Sequence, residues 1–472
     1  MIGLRPGRPI GRLLYFRNMK VLLGLLLAVF AVAGHAQTRR EDIHTDFVLY
    51  GKRQALEKDL RERIVARHFL TPLDRNSEDG YLSACWAVEQ FLFDGPEVRQ
   101  GFDHLFAGYD PLDRDTKRAF LEAVYAVEPE RYKIQIQAIL DKEQDPKLWA
   151  LGAVYLYRND TSTAAANALK IRLVERFSHY DSSGVLNELM NYLSYHSMLS
   201  QAQTPDIGEL FASQAKTGAK TIYSLQRWDR DYPGLAIVQN ADGSFVRDEN
   251  GRLQVFEQLA RSGPGLPYFL TNGNTPQGVF SIQGTDVSHT NFIGPTPNLQ
   301  LLLPGEGRWA DYFHDSLWSP AEDPGPGMDP LPGGRGKAFE RYFNLLPQWQ
   351  YQLWEAWAAG DAGRTEIIAH GTTIDPEYFK GRPFYPLTPT MGCLCARELW
   401  NPTSGHLLVS EQNNLVNAFL STPGRKGFLI VINVDDRRAP VSRAEVEEWV
   451  RAYEKKNPRQ AGGSNPANSM NP

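Results

Sequence analysis

The chain has 472 residues, too many for one small core, and this length predicts two or three folded units of about 100 to 200 residues each. Hydrophobic residues make up 42% and charged residues 22%, as in an ordinary soluble globular protein. The formal net charge is -5, and no run of Lys and Arg follows the N-terminal leader, which argues against a nucleic-acid-binding protein.

The leader, residues 1–36, has the pattern of an export signal. Basic residues without acidic ones precede the apolar run VLLGLLLAVFAVA, and the small residues Gly34 and Ala36 predict cleavage after Ala36. The apolar run has 13 residues, whereas a membrane-spanning helix needs about 20. We therefore expect a periplasmic or secreted protein without a stable membrane span after cleavage. An uncleaved N-terminal anchor is the alternative.

Residues 37–215 show helical periodicity and are predicted to form an all-helical, repeat-like domain. The pairs Asp110-Pro111 and Asp145-Pro146 predict helix starts 35 residues apart, a spacing compatible with stacked helical pairs. No chemistry is recognisable in this region, so we expect a scaffold or a cell-wall docking role.

The pattern changes near Thr221, and residues 216–456 are predicted to form a mainly β domain. GLAIVQNADGSFVRDENGRLQVFEQLA contains strand-like runs separated by ADG and ENG, as in a β-meander. An insertion, 303–360, interrupts this domain. The tail, 457–472, is poor in apolar residues and is predicted to be disordered.

The insertion begins with a Pro- and Gly-rich segment, 303–336, and continues with a Trp-rich helical stretch. A loop this long inside a compact domain is either functional, here a lid over a cleft, or a mobile surface loop, and both interpretations stay open. Trp349, Trp354 and Trp357 have near-helical spacing, which favours packing in a core over stacking on a sugar.

Three cysteines do not make a disulfide framework, and an odd number leaves at least one thiol unpaired within the chain. Cys85 lies on the apolar face of a predicted helix, where a cysteine is usually a small buried hydrophobic residue. Cys393 and Cys395 stand one residue apart behind His370. A neighbouring imidazole can activate a thiol as a nucleophile, so His370 and Cys393 form the candidate catalytic pair.

Gly392 permits a close approach of the backbone to a substrate, and the amides of Gly392 and Cys393 are the candidate donors of an oxyanion hole. His370 follows the apolar run IIA, which predicts a position at the end of a strand.

This region resembles the L,D-transpeptidase catalytic domain, the YkuD-like cysteine transpeptidases that act on peptidoglycan. The family pattern is HG followed, after a gap, by [ST]-H-G-C-x-[RN]. It matches here at His370, Gly371, Thr390, Gly392 and Cys393. The segment NTPQGVFSI, 274–282, resembles the family's TPxGxF stretch, which also precedes the histidine. The resemblance covers roughly 221–455.

The chain departs from the family pattern at three places. Met391 replaces the usual second histidine, and Cys395 stands where the family has Arg or Asn, with Arg397 two residues further on. The gap before the cysteine is longer, and the insertion is unusual. A second alignment takes Cys395 as the nucleophile of a C-x-R motif; Thr-x-Gly-Cys favours Cys393.

The resemblance implies an exported α+β multidomain enzyme for cell wall biogenesis that needs no cofactor or metal. Cys393 would form a thioester with a peptidoglycan stem tetrapeptide, release D-alanine and transfer the acyl group to an amine. His370 would act as the base, oriented by the Gly371 carbonyl, while Gly392, Thr390 and Arg397 would contact the substrate or the oxyanion.

Other functions remain open. Hydrolysis at the same site would make the protein an L,D-carboxypeptidase. A non-catalytic cell-wall-binding or metal-binding protein is the alternative of another class, because a Cys-x-Cys pair can hold a soft metal when further ligands are close. A disulfide between Cys393 and Cys395 would act as a redox switch that masks the nucleophile.

Overall fold

The computed structural model describes residues 38–199, 206–318, 336–347 and 351–458. The expected signal peptide lies outside this part of the chain, as do 319–335 of the Pro/Gly-rich segment, Trp349 and most of the tail. None of the helices in the described ranges is long and apolar enough to cross a membrane.

The described part of the N-terminal region is helical, as predicted. A π-helical segment, Asp59–Ala66, joins the first two helices. The helices of this region are α1 (Tyr50–Lys58), α2 (Arg67–Leu70), α3 (Glu78–Phe91), α4 (Pro96–Ala107), α5 (Arg114–Val127), α6 (Lys133–Leu140), α7 (Pro146–Asn159), α8 (Thr163–Arg176), α9 (Gly184–Leu199) and α10 (Ile207–Thr217). The last helix runs two residues past the expected boundary at 215.

One of the two predicted helix starts is present and the other is wrong. The Asp145 side chain caps α7 by accepting hydrogen bonds from the backbone N–H groups of Lys147 and Leu148 in the first turn of the helix. Asp110-Pro111 instead lies in a turn, in which the Leu112 N–H donates to the Tyr109 carbonyl at 3.2 Å. Helix α5 therefore begins only at Arg114, and the 35-residue repeat of helix starts is not formed.

The second region is built on a closed barrel of eight strands, so the chain has the expected α+β organisation. Going round the barrel the order is β1, β10, β4, β5, β6, β7, β3, β2, and β8 pairs with β9 outside it. The strands are β1 (Thr221–Arg227), β2 (Gly234–Gln239), β3 (Phe256–Leu259), β4 (Gly278–Asp286), β5 (Asn298–Leu302), β6 (Ile368–His370), β7 (Leu394–Ala396), β8 (Glu398–Trp400), β9 (Leu407–Ser410) and β10 (Gly427–Asp435). Antiparallel pairing joins β1 to β2 and β2 to β3. The predicted meander is present in part: β2 and β3 are strands, whereas the run between ADG and ENG pairs only through isolated bridges at Phe245 and Arg247.

Helices also belong to this region. They are α11 (Trp309–Tyr312), α12 (Lys337–Asn344), α13 (Glu355–Asp361), α14 (Glu411–Leu420) and α15 (Arg443–Lys456). Within the insertion, the Trp357 ring stacks on Trp309 at 5.3 Å between centroids and lies 6.0 Å from Trp354. The two described tryptophans of the Trp-rich stretch therefore pack against other aromatic rings.

One hydrophobic cluster joins the helical region to the barrel. Leu259 of β3, Leu266 and Phe269 belong to the same buried cluster as Val88 of α3 and Trp149 of α7. Because burying this apolar surface stabilises both parts together, the helical region is a structural part of the body that carries β6 and β7.

Candidate functional site

The candidate base and both candidate thiols lie at one parallel strand pair, β6 and β7. In the register of β6 and β7, Ala369 is opposite Leu394 and His370 is opposite Cys395. Ala369 and Leu394 point into a hydrophobic cluster. Side chains alternate along a strand, so His370 and Cys395 point to the other face. Cys393 directly precedes β7, and its Sγ lies against the Ile368 N–H at the start of β6.

The three thiols differ in access. Cys393 is partly exposed, whereas Cys395 is 1% exposed and Cys85 is fully buried. The Ile368 N–H points at Cys393 Sγ from 3.4 Å, while Cys395 Sγ lies 3.5 Å from Thr388 Oγ1. Cys393 is therefore the thiol that a substrate can reach, and Cys85 is the buried residue that its helical position predicts.

The resting pair is neutral. Burial raises the pKa of the Cys393 thiol to about 11, although the Ile368 N–H and the charge of Arg364 oppose the rise. Burial also lowers the pKa of His370 to about 4, against the opposing hydrogen bond to Gly371. Near neutral pH the site thus holds a thiol and a neutral imidazole, so the thiol proton must move when the sulfur attacks.

The Gly371 carbonyl fixes the tautomer of His370. His370 Nδ1 lies 2.5 Å from the Gly371 oxygen. Since a carbonyl oxygen only accepts, the proton of the neutral ring lies on Nδ1, and Nε2 carries the lone pair that a base needs. No hydrogen bond joins His370 to Cys393 in the described chain, and the two residues are offset along the paired strands. Contacts of this kind are often long before a substrate binds.

A buried carboxyl group holds the loop after His370, and the sequence pattern gave no signal for it. Glu398 accepts a hydrogen bond from the Thr372 N–H at 2.8 Å and another from the Ser410 hydroxyl at 2.6 Å. A Cβ at Gly371 would lie 2.1 Å from the Glu398 carboxyl carbon. A side chain at 371 would therefore displace the Glu398 carboxyl group from the loop that orients the imidazole.

Thr390 and Gly392 shape the turn that presents Cys393. Gly392 has φ +117°, a conformation that L side chains rarely adopt. Thr390 Oγ1 accepts from the Gly392 N–H at 3.0 Å and donates to the Cys393 carbonyl at 2.8 Å. Thr390 thus holds the turn itself. Because the Gly392 N–H is engaged, the Cys393 N–H remains as the candidate oxyanion donor.

The TPQG segment is bound directly to this turn. Thr275 Oγ1 donates to the Gly392 carbonyl at 2.9 Å, and both groups are buried. The two motifs that carry the family resemblance therefore lie in contact, although they are 117 residues apart.

Arg397 does not contact the candidate catalytic pair, Cys393 and His370, through a hydrogen bond among the described residues. Its guanidinium forms an ion pair with Glu257 of β3, at 3.3 Å between the charged atoms. The contact with substrate that the resemblance implies for Arg397 is thus not prepared in this structure.

Two charged residues before β6, Arg364 and Glu366, also lie near Cys393. The sequence patterns predicted a role for neither. Arg364 is buried, 6% exposed, against Gly392. Glu366 is exposed and has φ +63°, and its carbonyl lies 3.7 Å from Cys393 Sγ. Glu306 holds this strained residue, because its carboxylate accepts from the Glu366 N–H at 2.6 Å.

A cavity of about 300 Å³ lies at the junction of the helical region and the barrel. Arg230, Tyr268 and Thr275 contribute to its lining, whereas Cys393 and His370 do not. A group of three or more His, Cys, Asp or Glu side chains able to hold a metal ion is not found among the described residues.

Comparison with known proteins found no matching family model, no matching curated protein and no matching solved structure. The resemblance to the L,D-transpeptidases therefore depends on the motifs quoted above.

Proposed function

We propose that this protein is an exported, YkuD-like L,D-transpeptidase that acts on peptidoglycan stem peptides in the periplasm or outside the cell. One observation carries the proposal: an accessible Cys393 lies against the first residue of β6, the strand that ends in a histidine whose unprotonated nitrogen is Nε2. The accessible thiol belongs to the Thr-x-Gly-Cys motif, which favours Cys393 over the buried Cys395 as nucleophile.

The reaction has two acyl-transfer steps. Cys393 Sγ attacks the carbonyl carbon that precedes the terminal D-alanine, and its proton passes to His370 Nε2. The C–N bond then breaks, His370 returns the proton to the leaving amine of D-alanine, and a thioester remains. An amine from a second stem peptide attacks the thioester, gives a proton to His370 and releases the thiol, which takes that proton back.

A second function uses the same residues. If water replaces the acceptor amine, the thioester is hydrolysed and the protein is an L,D-carboxypeptidase. A binding protein for wall fragments, or for a metal, would leave the thiol without a chemical role. Product analysis separates transfer from hydrolysis, and thiol chemistry separates both from binding.

The test is mass spectrometry of the products formed from disaccharide tetrapeptides by the chain without its leader. We expect release of D-alanine that disappears in Cys393→Ala and His370→Ala and persists in Cys395→Ala. Cys395 is the matched control, because it is a buried thiol two residues away. A cross-linked dimer would identify a transferase and a free tripeptide a hydrolase. Turnover that survives Cys393→Ala would refute the mechanism.

A further inference from the structure

Arg364 is a buried cation held by neutral groups. Its guanidinium donates to the carbonyls of Tyr268 at 2.5 Å, Asn274 at 2.7 Å and Gly273 at 3.0 Å. Within the described residues, no carboxylate lies within ion-pair distance of it. Buried charges in proteins are usually paired with an opposite charge, so the position of this arginine calls for an anion.

The group placed to supply that anion is Cys393. A Cβ at Gly392 would lie 2.2 Å from Arg364 Nη2, so the guanidinium packs directly against the residue that precedes the thiol. The charge of Arg364 lowers the pKa of Cys393, and a Cys393 thiolate in turn favours the charged arginine. The carbonyl groups keep the guanidinium in place before the anion forms, as preorganised dipoles do elsewhere.

We infer that Arg364 is a positioning residue whose fixed positive charge stabilises the Cys393 thiolate at the moment when His370 removes its proton. The inference rests on the proposed function, in which Cys393 is the nucleophile. During the step the S–H bond breaks, the proton passes to His370 Nε2, and the negative sulfur forms beside the guanidinium. Formation of the thioester then removes the negative charge.

A purely structural role would explain the same hydrogen bonds, because Arg364 also connects the 268–274 loop to the cysteine turn. Two substitutions separate the roles. Arg364→Lys keeps the charge, Arg364→Gln removes it, and both give up most of the guanidinium hydrogen bonds. Arg230→Gln is the matched control. Burial lowers the pKa of both arginines to about 10, but the group that favours the charged form is Glu355 for Arg230 and Cys393 for Arg364.

The experiment measures the rate of alkylation of Cys393 by iodoacetamide from pH 6 to pH 9, below the pKa of Arg364 of about 10, by intact mass, in the Cys395→Ala background. Thermal unfolding of each variant is recorded in parallel. We expect Arg364→Gln to make the reaction about tenfold slower at each pH in this range, which corresponds to a rise of about one unit in the pKa of the thiol. Arg364→Lys and Arg230→Gln should stay close to the parent.

Equal shifts in Arg364→Gln and Arg364→Lys, or no shift in either, would overturn the inference. If neither variant folds, the role of Arg364 is to hold the 268–274 loop, and the inference is overturned as well. The assay needs no peptide. A shift specific to Arg364→Gln in a chain that releases no D-alanine would thus keep the inference about the thiol and reject the transpeptidase.

Discussion

Replacement of Glu398 by Gln tests how the loop after His370 is held. Burial raises the pKa of this carboxyl group from 4.5 to about 7. The folded protein therefore binds the proton more tightly than the unfolded chain does. The stabilising contribution of the group is fully present below pH 4.5 and is lost as the pH rises to 7. This difference in pKa corresponds to about 3 kcal/mol, at about 1.36 kcal/mol per unit.

The assay is urea unfolding of the parent and of Glu398→Gln at pH 5 and pH 7.5. Glu398 loses most of its stabilising contribution between these two pH values. The free energy of unfolding of the parent should therefore fall from pH 5 to pH 7.5 by about 2 kcal/mol more than that of Glu398→Gln. A lost hydrogen bond adds an offset at both pH values and cancels in this difference. Glu257→Gln, at a partly exposed carboxylate, is the control. An identical loss in the parent and in Glu398→Gln would refute the reasoning.

Three further outcomes follow from the same geometry. The rate of D-alanine release at low substrate should stay level down to about pH 5 and fall around pH 4, where His370 becomes protonated; a fall centred at pH 6.5 would contradict this. Gly371→Ala places a Cβ 2.1 Å from the Glu398 carboxyl carbon and should slow release at least about a hundredfold, whereas Gly51→Ala, in open space, should not. Glu366→Gly relieves a residue with φ +63° and should raise the free energy of unfolding by up to about 1 kcal/mol in urea titrations; a loss would show that the side chain stabilises the fold.

Local signals predicted the elements that depend on local physics. Helical periodicity predicted the N-terminal region, and the turn signals ADG and ENG predicted the meander, which is present in part. Ser442-x-x-Glu445 is a local signal of the same kind, and it forms the capping box of α15, with Ser442 and Glu445 each bonded to the backbone of the other. The start at Asp110-Pro111 is wrong because this pair closes a turn instead, and a dipeptide pattern does not distinguish the two.

Long-range contacts explain what the sequence did not predict about the site. Arg364 and Glu398 are charged, and charged residues are expected at the surface unless a partner is known. Their partners lie far away in the sequence, at 268–274 for the arginine and at 372 and 410 for the glutamate. The hydrogen bonds of Thr390 within the turn were not predicted for the same reason, since only the folded backbone brings the Gly392 N–H and the Cys393 carbonyl to its hydroxyl.

Asn272 connects the helical region to the site, and its replacement tests whether that region is more than a separate scaffold. Asn272 Nδ2 donates to Glu89 of α3 at 3.1 Å and to Glu122 of α5 at 2.9 Å. The next residue, Gly273, offers its carbonyl to Arg364. Helices α3 and α5 therefore help to fix the loop that holds the buried cation beside the cysteine turn.

Asn272 has φ +58°, so Asn272→Gly keeps the backbone conformation and removes only the two hydrogen bonds. An intramolecular hydrogen bond contributes about 0.5 to 1.5 kcal/mol, and leaving a buried acceptor without its partner costs about 1 to 3 kcal/mol, so the free energy of unfolding in urea should fall by about 2 kcal/mol or more. If the loop also sets the position of Arg364, the apparent pKa of Cys393 alkylation should rise together with this loss. A variant that is destabilised but alkylates like the parent would show that the helical region supports the fold without tuning the thiol.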